Sequence, residues 1–228
     1  MPADAYPYFE APFAALAHRG GFSPGVPPKL ENTLQAFVAA HTLGFRYLET
    51  DVHATQDGQL IAFHDDRLDR VTDATGLIAD LPYAEVSRAR IGGSEPIPTL
   101  GELLEALPEA RFNIDIKHPG AVDPLVTALR VHDAADRVCV GSFTTRSITS
   151  FRRATGGRVA TAASPVEVAA YAVPGVRRCW PLAAAAFQMP MQVPGTALPL
   201  LTPGLIAAAH ARGARVHVWM INDRATME

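Results

Sequence analysis

The chain has 228 residues, 48% of them hydrophobic and 19% charged, with a formal net charge of −3 and two cysteines. This length and apolar content support one large domain with a sizeable core and exclude wholesale disorder. The weak negative charge provides no electrostatic footing for nucleic acid, and two cysteines are too few for a disulfide framework.

"MPADAYPYFE" is acidic and proline-bearing, so no secretory leader is expected and the expected location is cytoplasmic. The first strand is predicted at 13–17. A helix follows at about 33–43, with Asn32 as N-cap, Leu34, Phe37 and Val38 on one face, and Gly44 at its end. "FRYLETDVH" is the next strand, and "QLIAFH" returns on it through the Asp57-Gly58 turn. Residues 65–98 are polar and irregular and read as an inserted excursion. Helices at 100–107, 124–132 and 146–154 lead to the strands "RFNIDIK", "RVCVGSF" and "RVATAAS". Cys139 in this second strand reads as a buried thiol. A helix at 165–172 precedes a strand near 183–188, and a helix at 203–212 leads through Gly213 to "RVHVWMI". The stretch 179–209 carries no charge, but Pro181, Pro190, Pro194, Pro199 and Pro203 exclude a regular membrane-spanning helix.

Seven strands alternating with helices imply parallel pairing through right-handed crossovers. The expected fold is a TIM (β/α)8 barrel, one domain over 1–228, with a small insertion at about 53–98 after the second strand. No glycine-rich phosphate loop follows the first strand, which weighs against an open doubly wound sheet. The eighth strand is missing from the chain, which is expected to be truncated or to lack a tail. It stops in what reads as the start of a helix, and two strand edges are expected to lie open.

Side chains two apart on a strand share a face. Glu49 and Asp51 therefore point together, as do Asn113, Asp115 and Lys117, while Leu48, Val52, Phe112, Ile114 and Ile116 face the covering helices. The polar faces are expected inside the barrel near its C-terminal rim, where active sites of this fold are built. Three crowded carboxylates repel one another unless a cation compensates. Three oxygen donors suit one hard divalent ion, Mg2+ or Ca2+. The competing reading is of scattered ion pairs at strand ends. His18 and His64 end their strands beside these acids, and imidazole titrates near neutrality, so one can serve as base and the other as acid. Arg19 and Lys117 are the cations for a phosphate, one as a planar fork and the other as a point charge. Alternatively, Arg19 pairs with Glu31 or Glu49. His41, His53, His118, His132, His210 and His217 have no comparable setting and read as structural.

"HRGG", "ENT", "LETDVHATQDGQLIAFHDDRLDRVT", "NIDIK", "GSF" and "VHVWMIND" occur in this order over roughly residues 16–223. The series resembles the glycerophosphodiester phosphodiesterase family. The resemblance implies a TIM barrel with a small insertion after its second strand. It also implies divalent-cation-dependent hydrolysis of glycerophosphodiesters to sn-glycerol 3-phosphate and an alcohol. By motif, His18 and His64 match the general acid–base pair, and Arg19 and Lys117 match the phosphate-binding cations. Glu49, Asp51 and Asp115 match the metal ligands, the last where many relatives carry glutamate. Phe143 and Trp219 match aromatic positions on the glycerol or leaving-group side. Leu30 stands where a proline commonly precedes the glutamate. The implied partner is a small-molecule glycerophosphodiester, with no nucleic acid and no stable membrane insertion; the oligomeric state is left open. One alternative on the same barrel is a phospholipase D-type lipase for lysophospholipids or sphingolipids, which needs an exposed apolar rim that is not obvious in the sequence. Another is a catalytically silent binding protein. A metal-dependent aldolase or enolase-like barrel has no need of the His18/His64 pair with Arg19.

Overall fold

The structure is a computed structural model and describes residues 1–21 and 25–227, with the side chain of Met227 left aside. The strands are β1 (Leu16–His18), β2 (Tyr47–Ala54), β3 (Leu60–Ala62), β4 (Arg90–Ile91), β5 (Glu95–Pro96), β6 (Arg111–Ile116), β7 (Val138–Gly141), β8 (Ala160–Thr161), β9 (Ala186–Met189) and β10 (Arg215–Val218). The helices are α1 (Leu34–Thr42), α2 (Tyr83–Val86), α3 (Leu100–Ala106), α4 (Val122–Val131), α5 (Thr145–Thr155), α6 (Pro165–Ala172), α7 (Pro174–Arg177), α8 (Pro203–Ala211) and α9 (Arg224–Met227).

β1, β2, β6, β7 and β8 pair in that order, all parallel, and β9 pairs in parallel with β10. A parallel bridge between Ala162 and Ala186 joins the two sets. Seven strands thus follow one another in space as they do in sequence, with helices between them. This is the TIM barrel expected from the alternation. Among the described residues no strand bridges β10 and β1. β3 is the antiparallel return of the hairpin on β2, pairing Val52 with Ala62 and Ala54 with Leu60.

Three expectations need correction. β1 begins three residues later than predicted, and Phe13 is exposed, because the N-terminal segment runs beneath the barrel before entering it. Thr33, not Asn32, caps α1: its hydroxyl accepts from the Ala36 N–H at 3.1 Å. Asn32 instead adopts φ 59° and turns its side chain inward. The excursion at 65–98 is not merely irregular. It holds α2, the β4–β5 hairpin and a core of its own, in which Phe63, Leu68, Ile78, Val86, Ile91 and Ile97 are buried.

The main apolar layer lies between the sheet and the helices. The outward faces of β2 and β6 supply Leu48, Val52, Phe112, Ile114 and Ile116, packed against Phe37, Leu103, Leu125, Ile148 and Phe151. Full burial of such side chains contributes roughly 1.5–3 kcal/mol each. The inward faces are left for other residues. At the N-terminal end of the barrel, Tyr6, Tyr8 and Phe9 cluster with Tyr47, Cys139, Ala160 and Ala186 and form an aromatic floor. The Ala3 N–H donates to the Gly213 carbonyl at 2.7 Å and the Tyr6 hydroxyl to the Gly157 carbonyl at 3.0 Å, fastening this segment to the barrel's underside.

Candidate active site

The inward faces of β1, β2 and β6 carry polar groups toward their C-terminal ends. The parallel register places His18 beside Glu49, Glu49 beside Asn113, and Asp51 beside Asp115. His18 Nε2 lies 3.9 Å from Glu49 Oε2. The next residue, Arg19, leaves the strand at φ 54°, and its N–H donates to both the backbone carbonyl and the carboxylate of Glu49, at 3.0 and 3.1 Å. Gly20 must follow: a Cβ there would stand 2.7 Å from the Ala36 Cβ in α1. The "HRGG" turn thus lets the first turn of α1 close over the site while two basic side chains remain at the strand end.

The Arg19 guanidinium donates to Glu31 Oε1 at 3.1 Å, and its Nε stands 3.5 Å from Asp51 Oδ2. Lys117 Nζ sits 2.8 Å from Asp51 Oδ1 and 2.8 Å from Asp115 Oδ2. Asp51 is also held by Asn32, whose Nδ2 lies 3.4 Å from Oδ2 and whose Oδ1 accepts from Thr50. Beyond Lys117, the Phe143 ring lies 5.4 Å from Nζ, and Trp219 meets Phe143 edge-on at 6.0 Å. His64, past the end of β3, donates from Nδ1 to Asp65 Oδ1 at 2.6 Å. His53, read from sequence as structural, is buried, and its Nε2 donates to the His64 carbonyl at 3.2 Å.

Burial and the neighbouring Arg19 lower the His18 pKa, with the charge of His64 adding to the effect. His64 joins the same rim through a chain of contacts from Asp65 to Arg70, Glu31 and Arg19. Burial raises the Glu49 carboxyl well above the usual carboxylate range, and Asp51 adds repulsion. Burial likewise raises Asp115 against the pull of Lys117. Burial alone would lower Lys117, but Asp115 and Asp51 outweigh it and hold the ammonium charged.

The side chains singled out by the strand patterns therefore meet at one rim, where they also form ion pairs of the competing reading: Arg19 with Glu31, and Lys117 with Asp51 and Asp115. Among the described residues, no three His, Cys, Asp or Glu side chains converge as they stand into a metal cage, because the Lys117 ammonium lies between Asp51 and Asp115. The donor set nevertheless fits a hard divalent ion. It offers hard oxygen donors on two adjacent strands, and burial raises the Glu49 and Asp115 carboxyls even with Lys117 beside them. Sequence reading missed Asn32, Asp65 and Arg70 as parts of the site. Their positions within "ENT" and "HDDRLDR" were visible, but which atoms they hold depends on how the excursion folds back.

A buried cluster of carboxylates, two cations and two imidazoles at the C-terminal rim of a TIM barrel is the equipment of a phosphate-ester hydrolase. Residues 18–228 match the model of the glycerophosphoryl diester phosphodiesterase family, and the chain belongs to that family. It is 36% identical over 220 residues to the probable glycerophosphodiester phosphodiesterase 2 of Mycobacterium tuberculosis, covering 92% of this chain and 80% of the relative. It is 39% identical over 115 residues to the human lysophospholipase D GDPD1, a match that covers 45% of this chain and 35% of the relative. Its fold superposes with a TM-score of 0.76 on an Oleispira antarctica phosphodiesterase solved in complex with the product sn-glycerol-3-phosphate. The two are 26% identical, and the match covers 93% of this chain and 86% of that one.

Proposed function

We propose that the chain hydrolyses glycerophosphodiesters to sn-glycerol 3-phosphate and an alcohol, with His18 and His64 as its acid–base pair. The observation that carries this reading is the meeting of both imidazoles, Arg19, Lys117 and three carboxylates at the rim. Arg19 and Lys117 neutralise the charge that grows on the phosphoryl oxygens in the transition state. One histidine takes the proton of the nucleophile, and the other returns a proton to the departing alcohol, each step contributing roughly 10²–10⁴ in rate. The lowered pKa of His18 keeps its ring neutral near pH 7, as a base requires. The exposed Phe143 and the half-buried Trp219 line the side on which the alcohol leaves.

Glu49, Asp51 and Asp115 are the residues that would hold one divalent cation, Mg2+ or Ca2+. A bound cation supplies Lewis-acid polarisation of a phosphoryl oxygen. With a cation held there, Lys117 would be released from Asp51 and Asp115 to neutralise the phosphate. The test is a coupled assay of glycerol 3-phosphate release across glycerophosphocholine, glycerophosphoethanolamine, glycerophosphoglycerol and glycerophosphoinositol. EDTA should abolish release, and added Mg2+ or Ca2+ should restore it. Undiminished turnover in the chelated enzyme would remove the cation from the mechanism.

A second substrate class is favoured by one observation. Phe143, Met191, Leu198 and Met220 are all exposed, and Trp219 and Met220 border a groove of about 430 Å³ shared with Pro190, Val193 and Ile221. Gln192 and Thr196 also line this groove, and its exposed apolar side chains are the feature that a lysophospholipid reader would use. Lysophosphatidylcholine therefore belongs in the same panel. Among the described residues no helix is long and apolar enough to cross a membrane.

A further inference from the structure

We propose that Arg70, in the excursion after the hairpin, is a positioning residue that sets both His64 and Arg19 through two carboxylates. The inference rests on the roles given above to those two groups. Arg70 Nε donates to Asp65 Oδ2 at 2.6 Å and its terminal nitrogen to Asp65 Oδ1 at 3.1 Å, a bidentate fork. The same terminal nitrogen also pairs with Glu31 Oε1. Asp65 Oδ1 in turn accepts from His64 Nδ1 at 2.6 Å, and Glu31 Oε1 accepts from the Arg19 guanidinium at 3.1 Å. One guanidinium therefore lies one carboxylate away from an imidazole of the proposed acid–base pair and one carboxylate away from a phosphate-binding cation.

The chemistry of each arm follows from the partners. An ionised Asp65 fixes the proton of a neutral His64 on Nδ1 and leaves Nε2 as the atom free to exchange one. The hydrogen bonds from Arg70 hold the Asp65 carboxyl down to about 2, so it stays ionised across the working range. Without the fork, Asp65 stays paired with His64 and Glu31 with Arg19, but the brace that joins the two carboxylates and fixes their orientation is lost. A planar fork is also what a lysine cannot reproduce.

The two arms predict separable effects. Asp65→Asn should lower kcat by about 10–100-fold, the range usual for a group that orients a reacting side chain, with KM nearly unchanged. Glu31→Gln should chiefly raise KM, because it loosens Arg19. Arg70→Ala should do both, and Arg70→Lys should fall between it and the wild type. A direct readout independent of turnover is the 15N spectrum of the His64 ring in histidine-labelled protein. The wild type should show a single tautomer protonated at Nδ1, and Arg70→Ala and Asp65→Asn should show a mixture.

An Arg70→Ala enzyme with wild-type kcat and KM, or one whose His64 ring signals match the wild type, overturns the proposal. Should Arg70→Ala fail to fold, Arg70→Lys and Asp65→Asn carry the same two readouts. The parent reading fails differently: a His64→Ala enzyme at wild-type rate ends the acid–base assignment, while the ring spectrum still decides whether Arg70 sets His64.

Discussion

The rim and the floor of this barrel are made by the same strands yet differ in every physical respect. Along the inward face of β2 the residues are Tyr47, then Glu49, then Asp51; along β6 they are Arg111, then Asn113, then Asp115. Two steps up a strand carry the chain from an aromatic packed against Tyr8 and Phe9 to a buried carboxylate beside Lys117. The floor is filled with aromatic and small side chains, with the Arg111–Glu10 ion pair beside them, and its buried apolar groups contribute stability. The rim concentrates charge that burial penalises, and this charge persists only because opposite charges meet there. The difference teaches that removing a rim side chain should cost rate, whereas removing a floor side chain should cost stability.

The largest effect that would break this division lies at the rim. His18→Ala and His64→Ala should each lower kcat by roughly 10²–10⁴. Because both rings are about one-third exposed, the melting temperature should move by no more than a few degrees. Variants of both histidines that turn over at the wild-type rate would end the assignment of chemistry to the rim.

The floor should behave in the opposite way. Tyr8 is fully buried, with edge-on contacts to Phe9 at 4.8 Å and Tyr47 at 5.3 Å. Tyr8→Ala should cost about 3–5 kcal/mol by denaturant titration, the range for removing a buried aromatic, while the folded fraction keeps its kcat. A Tyr8→Ala protein that is stable but inactive would show that floor and rim are coupled rather than divided.

The two regions were not equally legible. The rim could be read because a period of two is a short-range signal: Glu49 and Asp51, or Asp115 and Lys117, declare a shared face without any knowledge of the fold. His18 and His64 were legible as strand-end residues for the same reason. The floor could not be read, because Tyr6 links two short 3-10 turns, the second holding Tyr8 and Phe9, with no periodicity, and the segment is tied by Tyr6 to Gly157 and by Ala3 to Gly213, far along the chain. Asn32 was assigned as a cap because it precedes α1. Its positive φ accompanies contacts from elsewhere in the chain, the Asn32 N–H donating to the Arg19 carbonyl at 2.9 Å and Nδ2 to Asp51, which no local pattern reveals. Arg70 was invisible as a site residue because its partners Glu31 and Asp65 converge only when the excursion packs back onto the rim.

A smaller effect sharpens the comparison through pH. His217 faces the barrel interior, with Gln188 at 3.5 Å, the Phe9 ring at 6.0 Å and Arg215 on its own strand. Burial, aided by Arg215, lowers its pKa to about 4. The unfolded chain therefore binds a proton between pH 6.5 and 4 that the folded chain refuses. The stability from this site is present above pH 6.5 and is lost as the pH falls toward 4, with a full span on the order of 3 kcal/mol. Thermal melts at pH 7 and pH 5 should show the loss, and His217→Gln should reduce it. An identical pH dependence in that variant would assign the loss to the other imidazoles with lowered pKa, His18 and His53.

The smallest effect has the opposite sign, and so tests whether the floor is tuned for anything but packing. The Tyr8 hydroxyl is buried and finds no hydrogen-bond partner among the described residues, although the Tyr8 carbonyl accepts from the Tyr47 hydroxyl at 2.9 Å. Burial pushes the Tyr8 phenol well above its ordinary pKa, so the group is neutral and its cost is that of an unmet donor rather than of a charge. Such a donor is worth about 1–3 kcal/mol against the fold. Tyr8→Phe removes it while keeping the ring and both edge-on contacts, and should stabilise the protein by about 1 kcal/mol once the space left by the oxygen is counted. A measured loss of stability would mean that the hydroxyl has a partner in solution, such as a buried water. In that case the floor would be a hydrated polar layer rather than the dry aromatic base set against the charged rim here.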